Sequence, residues 1–300
     1  MPVASDSFTS VDLSRLPAPS VIEPLDFETI YAEALAQFQA LFPAFDATVE
    51  SDPVVKILQL FTYRELVLRQ RVNDAARAVM PAYATGSDLD ALAAIMGIER
   101  FILDPGDPGE GIPPTLESDD DFRRRMVLAP EGFSVAGPEG AYIFHALSAD
   151  GDVLDASATS PDPGEVVVTV LSRSGDGTPD AGVLAAVDAR LNSATVRPLT
   201  DLVTVQAADV VDFTVTATLH YYAGPDSALV RAEALARLDA WLANIRRLGR
   251  DVTRAGIIAA LHAEGVQNVT LASPAADIVL SRQQAGHCTA ITVTDAGTGE

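Results

Sequence analysis

The chain has 300 residues, enough for two or three compact units with cores of their own. Apolar residues make up 48% of it, which excludes disorder over most of its length, and 42 acidic against 20 basic residues leave a formal charge of -22. A field of that sign repels nucleic acid and anionic membrane surfaces and favours basic partner surfaces. Cys288 stands alone, so an internal disulfide and a cysteine-based zinc knuckle are both excluded, and a reducing compartment fits. The opening MPVASDSFTSVDLSRLPAPS lacks the basic and apolar regions of a signal peptide. No uninterrupted apolar run is long enough to span a membrane. The expectation is a soluble chain made in the cytoplasm.

Residues 1–24 read as an extended arm, because Pro17, Pro19 and Pro24 prevent a continuous helix. Residues 25–100 read as a helical region. A first helix follows Asp26, a good N-cap, with Ile30, Ala34, Phe38 and Leu41 at helical spacing and Pro43 closing it. A longer one starts at Asp52-Pro53 and runs to about Ala78. Leu58, Phe61, Leu68, Val72, Ala75 and Val79 form its apolar stripe, and Glu65 interrupts that stripe. Gly86 stops the chain, Ser87 with Asp90 resembles a capping box, and LDALAAIMG is a third helix. Residues 101–135 hold a linker, DPGDPGEGIPP, and a connector helix whose N-terminal Asp119, Asp120 and Asp121 complement its dipole.

Beyond that point helices and strands alternate. A middle domain is expected at 136–210 and a C-terminal one at 211–300, each an α/β layer. VLDASATSP (153–161) and VQNVTLASP (266–274) share the pattern V-x-[DN]-[AV]-x-[AL]-x-S-P, and each follows a helix containing a histidine. The two domains are therefore candidates for a repeat. The fold class is α+β: a helical region followed by two small layered domains.

Chemistry is hard to find in this chain. His145, His220, His262 and His287 have no metal-ligand spacing, and His145 and His262 read as residues satisfying helix ends. His287-Cys288 would need an oriented base, but neighbours on a strand point to opposite faces. The aspartate triplet reads as helix capping on a solvated face, and Arg123, Arg124 and Arg125 as a solvated helix face or a contact for an acidic neighbour. The nucleophile-elbow and P-loop patterns are absent, and GPEGAY lacks the full dinucleotide fingerprint. No catalytic residue, metal site or cofactor is expected.

One stretch carries more information. YRELVLRQRVNDAAR followed by AYATGSDLDALA, within residues 51–100, closely resembles the N-terminal helical region of the baseplate assembly protein J family. FSVAGPEGAYIFHALSADGDVLDASATSPDPGEVVVTVLS and DVTRAGIIAALHAEGVQNVTLASPAADI resemble its middle and C-terminal parts, so the likeness runs from about residue 25 to 295. These proteins belong to contractile-tailed bacteriophages and related injection machines. The resemblance implies a non-catalytic wedge component of the tail baseplate, in the virion, assembled in the bacterial cytoplasm. It implies partnership with a second copy of the chain and one protein I-like chain, with a baseplate W-like protein and the hub nearby, and a part in triggering contraction. Inter-subunit contacts are expected around Tyr63, Glu65, Arg69, Arg71, Asn73 and Asp74. Glu65 either sets register by pairing with an arginine across an interface or makes a local pair with Arg69. The alternative is a soluble acidic enzyme or binding module with an oligomerising helical N-terminus.

Overall fold

The computed structural model describes residues 13, 17, 19–46, 49–134, 137–224 and 226–298, so most of the predicted arm at 1–24 lies outside the described residues. The described residues divide after Glu99 into two compact units.

The first unit is helical. Helix α1 (Phe27–Leu41) starts where Asp26 accepts the Thr29 amide at 2.8 Å. The Thr29 hydroxyl and amide together hold that carboxyl below its ordinary range. Helix α2 (Pro53–Ala78) begins with Asp52 accepting the Val54 amide at 2.8 Å and with proline in its first turn, where no amide is needed. Its 26 residues span about 39 Å. Helix α3 (Gly86–Ala94) starts two residues earlier than the expected Ser87 cap implies. Gly86, at φ +52°, turns the chain straight into the helix, so Thr85 takes the N-cap place and Ser87 lies inside the first turn.

The second unit opens with a short hairpin. Strands β1 (Ile102–Asp104) and β2 (Thr115–Leu116) pair antiparallel, and an Asp107–Ile112 bridge continues the ladder. The predicted linker is thus a structured hairpin loop. Asp104 and Asp107 each accept the amide two residues on, at 2.8 Å. Gly106 is required there: its φ is +67°, and a Cβ would lie 2.5 Å from the Ile112 carbonyl oxygen.

Helices α4 (Asp119–Leu128) and α5 (Glu139–Leu147) lead into a three-stranded sheet of β3 (Val153–Thr159), β4 (Glu165–Ser172) and β5 (Leu202–Ala207). Strand β4 is central, antiparallel to β3 and parallel to β5, and α6 (Ala181–Leu191) makes the crossover that a parallel pair needs. The chain then enters a second sheet. Here β6 (Asp209–Tyr221) is central, antiparallel to β7 (Val266–Ser273) and parallel to β8 (Gln284–Thr298). Between β6 and β7 run α7 (Ser227–Ile245) and α8 (Arg254–Leu261). Period-two burial on β6 puts Val215, Ala217, Leu219 and Tyr221 on one face, packed with Leu238 of α7 and with Ile257 and Leu261 of α8. The architecture is α+β.

The echoed segments occupy equivalent places, since β3 and β7 are each the antiparallel edge of a three-stranded sheet. Their connections differ. The strand after β3 is its own partner β4, whereas the strand after β7 lies on the far side of β6.

Candidate assembly surface

Around α2 two faces can be separated. The inner one carries Val55, Thr62 and Asn73, all buried, with Leu58 and Leu66 half-buried between them. Nearly half a turn away run Ile57, Leu60, Phe61, Val67, Leu68 and Val72, which are 47–67% exposed. The stripe that the sequence marks as apolar is thus largely the outward face, since Phe61, Leu68, Val72 and Val79 are all exposed. Arg64 and Arg71, both exposed, lie among these outward apolar residues. Among the described residues of this unit the buried apolar side chains are Ile30, Val55, Ala84, Leu89, Ala93 and Ile98. That core is small, and the exposed row on α2 is contiguous, which is the mark of an interaction surface. Each Leu or Phe that becomes buried would gain about 1.5–3 kcal/mol.

The six residues singled out in the sequence fall into two groups. Arg69, Asn73 and, more distantly, Glu65 hold the incoming chain. The Asn73 side-chain oxygen accepts the Glu23 amide at 3.0 Å, and its side-chain nitrogen donates to the Glu23 carbonyl at 2.9 Å. This pair of bonds treats one residue of backbone as a neighbouring strand would. Arg69 donates through Nε and Nη2 to one Glu23 carboxylate oxygen, at 2.9 and 2.7 Å. Its contact with Glu65 is longer, 3.5 Å. The Glu23 hydrogen bond and charge, with Glu65 a lesser influence, raise the Arg69 pKa. The local alternative for Glu65 is present, as a contact with Arg69 that is secondary to Glu23. The other three residues lie toward solvent. Tyr63 is 58% exposed, Arg71 is exposed, and Asp74 accepts Gln70 at 2.7 Å and sits 3.5 Å from Arg77.

Glu23 is the residue that sequence reasoning missed. It sits in VIEPL, an acid among apolar neighbours just before a proline. Its partners are 46 and 50 positions away, a separation no local pattern reports.

The acidic and basic triplets also differ from expectation. Asp120 alone is solvated, 94% exposed and paired with Arg123 at 2.8 Å. Asp119 pairs with Arg100 at 2.8 Å. Asp121 is withdrawn from water and bound by Arg173 and Arg247, each at 2.6 Å. Burial alone would raise the Asp121 pKa, but Arg247 and Arg173 outweigh it and hold it below the usual carboxylate value. Arg125 is buried against Glu117 at 2.6 Å, with its guanidinium 4.2 Å from the Phe101 ring centre. Arg124 reaches Asp155 at 2.6 Å. A triplet on a helix spreads over about 200° of arc, so its members meet three different environments.

The candidate nucleophile pair is also resolved. His287 turns to Asp212 on β6 at 2.9 Å, while Cys288 is half-buried on the other face of β8 with its thiol pushed upward in pKa by burial. His145 is lowered by burial and then by Arg190, against a backbone hydrogen bond at Gly132. Among the described residues no group of three or more His, Cys, Asp or Glu is gathered that could hold a metal ion. Among the same residues no helix is long and apolar enough to cross a membrane.

A helical unit with an outward apolar face, joined in sequence to a unit with full cores, defines a subunit of a larger assembly. Family comparisons say which assembly. Residues 50–107 match the baseplate J-like N-terminal domain, 134–207 the baseplate J-like central domain and 213–294 the baseplate J-like protein C-terminal domain. The chain is 49% identical to Baseplate protein J of Escherichia phage P2, over 97% of this chain and 99% of that protein. The chain belongs to the baseplate J-like family and is a structural, non-enzymatic component of the tail baseplate wedge, working together with other baseplate proteins. The alternative of a soluble acidic enzyme or binding module is set aside by the same findings. A solved structure, the six-fold symmetrised cryo-EM structure of the anti-feeding prophage (AFP) baseplate, aligns with TM-score 0.36 and 15% identity over 59% of this chain. The chain spans 44% of that solved chain.

Proposed function

We propose that the wedge is formed by two copies of this chain and one protein I-like chain, with α2 as the shared docking helix. A baseplate W-like protein and the hub complete the surroundings, and the ring of wedges helps pass on the contraction trigger. The observation that carries this reading is the outward row on α2, from Ile57 to Val72, beside an inner face already satisfied by Asn73 and Arg69. Partners that cover this row would bury apolar surface without disturbing the chain's own contacts. Tyr63, Glu65 and Asp74 would then flank the contact as polar rim, with Arg71 inside it, while Arg69 and Asn73 act indirectly by fixing Glu23. In this reading each part of the chain has its own role, with an arm at 1–24, a docking region at 25–100, a connector at 101–135, and two further domains at 136–210 and 211–300.

The test is co-expression with a protein I-like chain from the same tail cluster, followed by size-exclusion chromatography and electron microscopy. A mixed complex is expected for the natural sequence. It should be lost in a Phe61→Glu/Leu68→Glu variant that still folds, because two charges would be buried at the contact. A natural chain that forms no mixed complex, or a double variant that assembles normally, would overturn the docking assignment.

A further inference from the structure

Within the unit at 100–298 the two sheets meet through a small apolar patch: Leu154, Leu171, Ala208, Leu248 and Ala285. Five side chains of this size bury little apolar surface, so the patch by itself contributes little to holding the sheets together. Around them lies a ring of charge built on α4, a helix that belongs to neither sheet. Asp121 accepts Arg173, just past β4, and Arg247, just past α7, both at 2.6 Å. One turn on, Arg124 donates to Asp155 of β3 at 2.6 Å. The other oxygen of Asp155 accepts the backbone amide of Leu248 at 2.9 Å, beside Arg247. The ring therefore joins α4, β3 and the turn after β4 to the loop after α7, and that loop is tied to the second sheet where the Gly249 amide donates to the Gln284 carbonyl of β8 at 2.9 Å. Asp121 is 14% exposed, Arg247 19% and Asp155 5%. Charges so placed tolerate little displacement, because each separation leaves an uncompensated charge away from water.

We propose that Asp121 is the bolt of a rigid joint, fastening the central sheet to the C-terminal sheet so that residues 119–298 move as one body. Any rearrangement of the chain during assembly or contraction leaves this joint closed. The ring is complete within residues 119–248, whichever partners cover α2.

Hydrogen exchange of the full chain tests it, with the Leu248 amide as reporter and the amides of central β4 and β6 as references. In the natural sequence Leu248 should open together with the two sheet cores. In Asp121→Asn it should exchange about 100-fold faster while both cores change by less than about tenfold. Asp120→Asn, at the solvated neighbour, should leave all three unchanged. The proposal fails if Leu248 already exchanges far faster than the cores in the natural chain. It fails equally if Asp121→Asn behaves like Asp120→Asn or accelerates all three alike. Should Asp121→Asn not fold, Arg247→Gln removes one arm of the ring and is read by the same outcomes.

Discussion

In residues 11–99 the longest helix turns Ile57, Phe61, Leu68 and Val72 outward and keeps Asn73 and Thr62 inside. In residues 100–298 the arrangement is reversed. Val215, Ala217 and Leu219 are sealed under α7 and α8, and even Arg125 is buried, over the rings of Phe101 and Phe122. The second unit has its own apolar cores and pairs its buried charges within itself, so it holds what an independently stable body needs. The first has half of such a structure. Its inner face is tied by hydrogen bonds to one residue of incoming chain, and its outer face carries exposed apolar side chains. Under the proposed docking role this division is useful, since a finished body keeps its geometry while the exposed row on α2 would supply the drive to associate.

The hardest break of this contrast is Glu117→Gln in the finished body. Glu117 is 3% exposed and binds the Arg125 side chain twice, at 2.9 and 2.6 Å. Neutralising it leaves a buried guanidinium without its counter-charge, a loss of roughly 3–5 kcal/mol. Thermal unfolding followed by circular dichroism should show this as a large drop in midpoint. A drop no greater than that of the exposed Asp120→Asn would mean that the second unit is not built on its buried pairs.

Acid should weaken the second unit's buried ring next. Asp121 is held below its ordinary pKa, so its contribution is complete above about pH 4 and is lost as pH falls through the lower folded value. Unfolding of the 100–298 unit should therefore ease progressively below pH 4, and Asp121→Asn should flatten that dependence. An unaltered acid limb in the variant would remove Asp121 from the account.

How much of this was visible in the sequence depends on the range of the interaction. The N-caps Asp26 and Asp52 and the alternation along β6 act within a few residues and were legible. The outward direction of the α2 stripe was not. Periodicity shows that a face is apolar and cannot say whether it is covered by the same chain or by another. Glu23 with Asn73, and Asp121 with Arg247, join positions 50 and 126 apart, and only the folded chain brings them together. The triplets misled for a related reason, since one charged run was distributed between solvent and core. The echo at 153 and 266 marked two equivalent edge strands but carried no sign that the following strands part ways.

The gentlest probe lies in the unfinished unit. Asn73→Ala removes both bonds to the Glu23 backbone and leaves the Arg69–Glu23 pair in place. Water can reach part of this site, so the loss should be only about 1 kcal/mol. Hydrogen exchange should nevertheless show the Glu23 amide losing protection, with α2 itself unchanged. If α2 lost protection too, Asn73 would be part of the helix's own support, and the inner face would be no more complete than the outer. If only Glu23 is released, the inner face is a clasp for the incoming chain, separate from the exposed apolar row on the other side of the helix.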